Sequence, residues 1–356
     1  MTPADDVFPG HWSEPGPMAN LDRLLEDGDL DGLLRLIDDA CDNGDWESVE
    51  GVATRSRAAI ERGHQLWPAS DHAEHRLALS APANFAAAAV MRDAATFTVA
   101  PLAEVAASSH TWAELDPHLP VDGGALRAIV AHERVARGDN LTGVQLDEDP
   151  LGLPLCLAPW EQTVDSPAIG PYGVDDPVPA AGILEVSLID GQPPPAGSEA
   201  ESGRRALRDL PSAWTEGSEG AATTAAVIGT GPDAAAVLAG GEVRLRQLAT
   251  EEAFGLLAWL GASGGAHGRR RGAARGRFEA WWCATALAGL DESDSSVSWP
   301  TPTDQLGQAV SELGWWRWDD RARPSGWFIG LAVEDPLDGI AWGLAVRDSI
   351  DTPSSS

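Results

Sequence analysis

The chain has 356 residues, of which 43% are apolar and 22% charged, as expected for a globular protein of about two domains. All 24 basic residues are arginine, which excludes reactions that require a lysine, such as Schiff-base formation and phosphate binding by a Walker A motif. The net charge of −31 argues against general binding to DNA or to anionic membranes.

The first 140 residues show the apolar spacing of helices. Residues 1–19 are rich in Pro, Gly and Asp and predict a flexible lead-in. The Gly28–Asp29 pair is expected to divide the first helical stretch, which begins near Asn20. Strand patterns are scarce here, so residues 20–140 predict a helical domain, either a bundle or a short solenoid. Further helices are predicted at 45–62, 71–80, 82–93, 101–108 and 124–137, with a short one opened by a capping box at Thr111–Glu114.

The second part of the chain mixes strand and helix patterns. Residues 141–182 predict an irregular connector, and residues 351–356 a disordered tail. Residues 183–350 predict an α+β domain whose small mixed or antiparallel sheet packs on helices. A helix beginning at Asp338 is the alternative to the last strand. Strands are predicted at 183–189, 222–228, 242–247, 315–318, 327–333 and 340–346, helices at 203–213, from Thr250 and at 269–290, and polar loops at 192–203 and 291–303.

Cysteine usage and the lack of targeting signals predict the cellular compartment. The three cysteines, Cys41, Cys156 and Cys283, are far apart and form no C-x-x-C pair, which favours neither a disulfide framework nor a zinc site. The N-terminal sequence is acidic where a signal peptide is basic, and no apolar run reaches the length of a membrane span. We therefore expect a cytoplasmic protein without membrane contact, metal or cofactor.

Two glycine motifs resemble catalytic or nucleotide sites, but each departs from its pattern. Gly261–Gly265 matches the G-x-S-x-G of α/β-hydrolases, yet the residues before it are spaced as a helix, whereas the motif needs a strand there. The only histidine after Ser263 is His267, too close to complete a triad. Gly229–Ala234 resembles the G-x-G-x-x-A of dinucleotide sites, but Asp233 would face a pyrophosphate with like charge. A glycine-rich break after a helix explains the first motif better, and a tight turn explains the second.

Histidine spacing gives no stronger signal. His72 and His75 lie about one helical turn apart, with His64 nearby, but no fourth metal ligand has a suitable spacing. The sequence therefore predicts no catalytic residue, and we favour a binding protein over an enzyme.

One segment stands out from its acidic background, because no Asp or Glu occurs between Glu252 and Glu279. If 269–290 is one helix, Arg271, Arg275, Phe278 and Trp282 share a face at 100° per residue, and the aromatic pair should face the core. Guanidinium groups on that face then need partners. The candidate binding residues of the segment are His267, Arg269, Arg270, Arg271, Arg275, Arg277, Phe278 and Trp282.

Two kinds of partner remain open for these arginines. The first is internal, a structural network of ion pairs with Asp319, Asp320, Glu334, Asp335 or Asp338. The second is an external anion, such as a phosphate, a nucleotide or an acidic peptide, held by the guanidinium groups and by the backbone N–H groups of Gly264–Gly268.

Tryptophan is enriched near the end of the chain, with eight of the 15 after residue 280. Tryptophans on both sides of strand 315–318 require either that both faces of the sheet are covered or that one face is an aromatic binding surface. We expect 314–347 to form an antiparallel meander against the helices of 251–290, with Trp327 and Trp342 at that interface.

The run Ala262–Trp282 resembles the signature stretch of an uncharacterised family of high-GC Gram-positive bacteria, known only as a domain of unknown function. Leu126–Val135 and Leu331–Pro336, the latter leading into Ile340–Trp342, are similar to other parts of that family. The resemblance covers most of the chain and implies one shared architecture, without an assigned activity or catalytic residues.

These observations favour an acidic protein that acts by binding a partner. A basic protein fits the charge, as in an immunity or antitoxin role against a basic effector. One alternative is an enzyme or sensor that binds a phosphorylated small molecule at 264–277. Another is a scaffold whose helical half docks other proteins.

Overall fold

The computed structural model describes residues 17–93, 98, 100–163, 185–187, 200–291, 299–320 and 326–349. Most of the predicted lead-in, the predicted tail and parts of the predicted connector and polar loops (164–182, 192–199 and 292–298) lie outside these residues. Within the described residues, no helix combines the length and the apolar composition needed to cross a membrane.

The described part of the N-terminal half consists of helices around one apolar core, as the sequence predicts. The first helical stretch is divided as expected, because Gly28 adopts a φ of +66° and the Asp29 side chain accepts a hydrogen bond from Gly32 N at 2.9 Å. The Thr111–Glu114 capping box is present. The helices are α1 (Pro17–Asp27), α2 (Leu30–Asp42), α3 (Trp46–Glu61), α4 (Trp67–Ser80), α5 (Ala83–Arg92), α6 (Leu102–Ser109), α7 (Trp112–Leu115) and α8 (Gly124–Ala136), and a 3₁₀ turn (Asp116–His118) follows α7.

The C-terminal half contains one antiparallel sheet with the strand order β1–β3–β4–β5–β6–β2, so the fold is α+β. The alternative helix at Asp338 is wrong, because β6 pairs with β5 from Ile340 to Ser349. The strands are β1 (Glu185–Ser187), β2 (Ala221–Ile228), β3 (Val243–Gln247), β4 (Gly314–Asp320), β5 (Gly326–Asp335) and β6 (Ile340–Ser349). The helices are α9 (Ala200–Asp209), α10 (Ser212–Gly217), α11 (Gly231–Ala239), α12 (Thr250–Ala262), α13 (Ala273–Leu287) and α14 (Thr303–Glu312).

Both faces of the sheet are covered, which accounts for tryptophans on both sides of β4. Trp315 belongs to the large core shared with α12 and α13, whereas Trp318 belongs to a smaller core beside α11. Helix α11 approaches closely because Gly231 has no side chain: a Cβ there would lie 2.3 Å from the Trp316 ring. Trp327 contacts Trp259 of α12 with ring centroids 5.6 Å apart, as the meander prediction required.

The described residues form two large apolar cores, one in each half of the chain. One contains residues of α1 to α8, the other contains residues of the C-terminal helices and sheet, and Ile129 of α8 packs against both. The connector also joins both cores, since Leu153 belongs to the second and Leu155 packs against the first. The boundaries of a helical domain at 20–140 and an α+β domain at 183–350 therefore remain a prediction.

Trp342 offers a test of how the meander is packed. Its Nε1 donates a hydrogen bond to Ala200 O at 2.7 Å, and its ring lies against Gly203 of α9. Truncation of a buried tryptophan costs about 3–5 kcal/mol, so we expect Trp342→Ala to lower the free energy of unfolding by that amount in chemical denaturation. Trp282→Ala, which removes a half-exposed ring, is the control. Equal stabilities of the two variants would contradict the packing.

Candidate functional site

The acid-free segment lies where the two halves of the chain meet, and carboxylates from elsewhere in the chain bind two of its arginines. Arg270, just before α13, donates to Glu104 of α6 through Nε, at 3.1 Å, and through Nη2. Arg277 donates to Glu161 through Nε at 2.7 Å and Nη2 at 2.9 Å. Trp281 donates to the same carboxylate from Nε1 at 2.9 Å. These bidentate pairs are buried, which is where charge-assisted bonds are strongest.

A buried charge cluster forms around the first of these pairs. We call Glu104, Glu133, Arg137 and Arg270 the buried junction. Arg137 Nη1 donates to Glu133 Oε2 at 2.7 Å, and its Nη2 lies 3.7 Å from Glu104. Glu133 Oε1 accepts the Ala274 N–H at 3.0 Å, so this carboxylate also satisfies the first turn of α13. Two carboxylates and two guanidinium groups thereby connect α6 and α8 to α13.

The position of Glu133 makes its ionisation unfavourable. Complete burial is the main cause, and the nearby Glu104 carboxylate adds repulsion, so that the pKa of Glu133 is raised to about 7. Arg137 and the Ala274 N–H act in the opposite direction without cancelling this effect. The junction therefore contains a carboxyl group that titrates near neutral pH.

The remaining arginines of the segment lie nearer the surface. Arg269 Nη2 donates to Thr98 Oγ1 at 2.9 Å. Glu279 accepts from Arg271 at 3.3 Å and from Arg275 at 2.6 Å. The side chain of Arg275 is 42% exposed, against 4% for Arg277.

Helix α13 begins later than predicted, at Ala273, because Gly272 precedes it with a φ of +98°. Arg271 therefore lies outside the helix, and the expected stripe is not the core-facing side. Trp282 is 52% exposed, while Trp281, one residue earlier, is fully buried. The expectation that Trp282 faces the core is wrong, because a shift of one residue rotates a helical side chain by about 100°.

The outer side of α13 carries a contiguous aromatic surface. The Trp282 and Trp299 rings lie 5.3 Å apart and the Phe278 and Trp299 rings 5.2 Å apart, measured between centroids. The Arg275 guanidinium lies over the Phe278 ring at 4.9 Å. Trp299 is 37% exposed and donates from Nε1 to Leu151 O at 2.8 Å, which fixes its ring. We call Arg275, Phe278, Trp282 and Trp299 the aromatic face.

The Gly264–Gly268 loop, to which one of the two alternatives assigns an external anion, binds a carboxylate of this chain. Ala266 N donates to Asp348 Oδ2 at 2.6 Å. Ser218 Oγ donates to the same oxygen at 2.6 Å and accepts the His267 N–H at 3.1 Å. The loop therefore attaches the end of β6 to the segment before α13, and a carboxylate of this chain occupies these donors.

The two glycine motifs also have structural roles. Ser263 is buried and follows helix α12, where a nucleophile elbow would require a strand. At the second motif, Thr230 and Asp233 form a capping box for α11, and Gly231 N donates to Glu334 at 2.9 Å. In the described part of the chain, no group of three or more His, Cys, Asp or Glu side chains is arranged to hold a metal ion.

The carboxylates that bind the segment differ from those expected. Of the acids on the C-terminal strands and turn, Asp319 pairs with Arg244 of β3. Glu104 and Glu161, which no sequence pattern singles out, pair with Arg270 and Arg277. Trp299 was also missed, because it lies in a polar loop where no periodicity indicates its neighbours. For Glu104, the available signal was an acidic residue in an otherwise uncharged, alanine-rich helix.

The sequence matches the model of a family of unknown function, DUF6183, over residues 31–349. This span contains both the buried junction and the aromatic face. No curated protein and no solved structure matches the chain.

The raised pKa of Glu133 predicts a pH dependence of stability. Between the ordinary glutamate pKa near 4.5 and the folded value near 7, the folded protein holds a proton that the unfolded chain has lost. Proton binding to Glu133 therefore stabilises the folded state at low pH, and this contribution to the free energy of unfolding is lost as the pH rises to about 7. We expect the melting temperature of the wild type to fall from pH 5 to pH 8 relative to that of Glu133→Gln, which cannot titrate. The difference corresponds to about 3 kcal/mol at most.

The matched control for this measurement is Glu26→Gln, which changes an exposed carboxylate of α1. Its melting temperature should follow the wild-type curve at every pH. If the melting temperatures of the wild type and Glu133→Gln change in parallel from pH 5 to pH 8, Glu133 does not bind a proton in that pH range.

Proposed function

The chain belongs to the DUF6183 family, and from the geometry of its surface we propose that it acts by binding a basic protein partner at the aromatic face. The observation that carries this proposal is the pair of exposed, touching indole rings of Trp282 and Trp299. Clustered exposed aromatic side chains are uncommon on a surface that serves only solubility, and they mark binding sites.

The residue types and their rigidity favour a protein as the partner. Tryptophan and arginine are the side chains that most often dominate the binding energy of protein interfaces. Trp282 projects from a long helix, and the hydrogen bond from Trp299 to Leu151 orients the second ring. Because these rings are already ordered, little conformational entropy is lost when a partner binds.

The charge of the molecule indicates a basic partner. The net charge of −31 attracts cationic proteins over distances of several ångströms. Helices α1 to α3 and their connections contribute a dense set of exposed carboxylates, which are Asp22, Glu26, Asp27, Asp29, Asp31, Asp38, Asp39, Asp42, Asp45 and Glu47.

The aromatic face itself suits a cationic side chain. Arg275 already lies over the Phe278 ring, an example within the chain of the contact that a partner would make. The exposed Trp282 and Trp299 rings offer the same interaction, and tryptophan is the strongest ring for it. We therefore assign to the partner arginine or lysine side chains that contact these two rings.

Substitution of the tryptophans tests the surface. The probe is a fluorescently labelled nona-arginine peptide, and its dissociation constant is measured by fluorescence anisotropy. A cation–π contact at an exposed site contributes about 0.5–1 kcal/mol, so Trp282→Ala and Trp299→Ala should each weaken binding by about two- to fivefold.

The matched control is Trp67→Ala, which removes a 40% exposed tryptophan on α4 in the other half of the chain. This variant should bind the peptide as the wild type does. The proposal fails if the variants at Trp282 and Trp299 bind as tightly as the variant at Trp67 while their circular dichroism shows that they are folded.

The salt dependence of binding should separate the attraction between charges from the contacts with the tryptophan rings. Attraction between exposed charges is screened with a length of about 8 Å at physiological ionic strength, whereas a ring contact is less sensitive to salt. We expect the peptide affinity to fall steadily as sodium chloride rises. A triple variant, Asp27→Asn with Asp39→Asn and Asp42→Asn, should reduce this salt dependence, and Trp282→Ala should leave it unchanged. An affinity that does not change with salt would show that the negative charge does not attract the partner and serves only solubility.

A further inference from the structure

Three arginines lie together on one face of the sheet. Arg244 and Arg246 alternate along β3, and Arg317 of β4 is directly opposite Arg246 in the register. Cross-strand partners lie on the same side of a sheet, so Arg317 shares this face with Trp315 and with its β5 partner Leu331, both in the large core.

Carboxylates bind two of these three guanidinium groups. Arg244 Nη2 lies 2.6 Å from Asp319 Oδ2, and Arg246 Nη1 lies 3.2 Å from both carboxylate oxygens of Glu252. Arg317 differs from them. Its only hydrogen bond in the described structure is from Nη2 to the Phe328 carbonyl oxygen at 3.3 Å.

The Arg317 side chain is almost completely buried, with the residue 3% exposed, and its Nε and Nη1 have no hydrogen-bond partner among the described residues. Burial, with the like charge of Arg246 added, lowers its pKa to about 10 despite the nearby Asp319. Other buried arginines have carboxylate partners: Arg270 and Arg277 each have a bidentate one, and Arg137 of the buried junction binds Glu133. An unsatisfied buried cation that faces a second cation is unfavourable unless something else binds there.

We propose that Arg317 and Arg246 form a binding site for the oxyanion group of a small molecule, a carboxylate or a phosphate. Such a group accepts hydrogen bonds from Nε and Nη1 of Arg317, supplies the missing negative charge and separates the two facing guanidinium groups. Arg246 is 30% exposed, so it receives the anion from solvent and shares it with Arg317. The site is independent of the partner proposed for the aromatic face.

The experiment measures the melting temperature of the full chain in Tris chloride with added sodium phosphate, sodium acetate or, at matched ionic strength, sodium chloride. A ligand that binds only the folded state raises the melting temperature as its concentration rises. We expect phosphate or acetate to do so in the wild type, and the more effective of the two identifies the oxyanion. Arg317→Met should abolish the rise. Arg204→Met, which alters a surface arginine of α9, should retain it.

A second readout separates a binding role from a structural one. Without added oxyanion, Arg317→Met should melt at or above the wild-type temperature, because it removes an unpaired buried charge. If Arg317→Met fails to fold, Arg246→Gln decides the question, since it changes a partly exposed side chain and should weaken the oxyanion affinity about tenfold. The proposal is overturned if neither oxyanion acts beyond chloride, or if the rise persists in these variants.

Discussion

The pairing of buried arginines with buried glutamates is the interaction on which the rest of the structure depends. A guanidinium group buried in a core is costly when it has no partner, and carboxylates can satisfy its fixed array of donors. Arg270 with Glu104 attaches the segment before α13 to the helical half, and Arg277 with Glu161 attaches α13 to the connector. The two apolar cores meet at Ile129 and at the connector, and these charged contacts add to that packing between the halves.

This anchoring explains why one helix has two different faces. The inner side of α13 is committed to Glu161 and to the core through Arg277 and Trp281. Its orientation is therefore fixed, and Trp282 must project outward. The segment therefore binds carboxylates of this chain on its inner side and carries an exposed aromatic surface on its outer side.

Local signals predicted the elements better than their contacts. Gly28–Asp29 and the Thr111–Glu114 box placed helix ends correctly, because capping depends on neighbouring residues. The meander was predictable from its period of two. The partners of Arg270 and Arg277 were not, because Glu104 and Glu161 are more than a hundred residues away in sequence and no local pattern joins them. The surface position of Trp282 was missed because the sequence does not show which side of α13 faces the core, and the buried side is that of Arg277 and Trp281.

The pairing of β6 with both β5 and β2 has a consequence for the order in which parts of the protein fold during synthesis. The helical half is built from local contacts that form soon after each helix is synthesised. The sheet joins Ala221 to Arg347, and the Gly264–Gly268 loop closes only on Asp348. During translation, the part of the α12–α13 core that β6 covers therefore stays exposed until β6 has been made, and transiently exposed apolar surface of this kind favours aggregation.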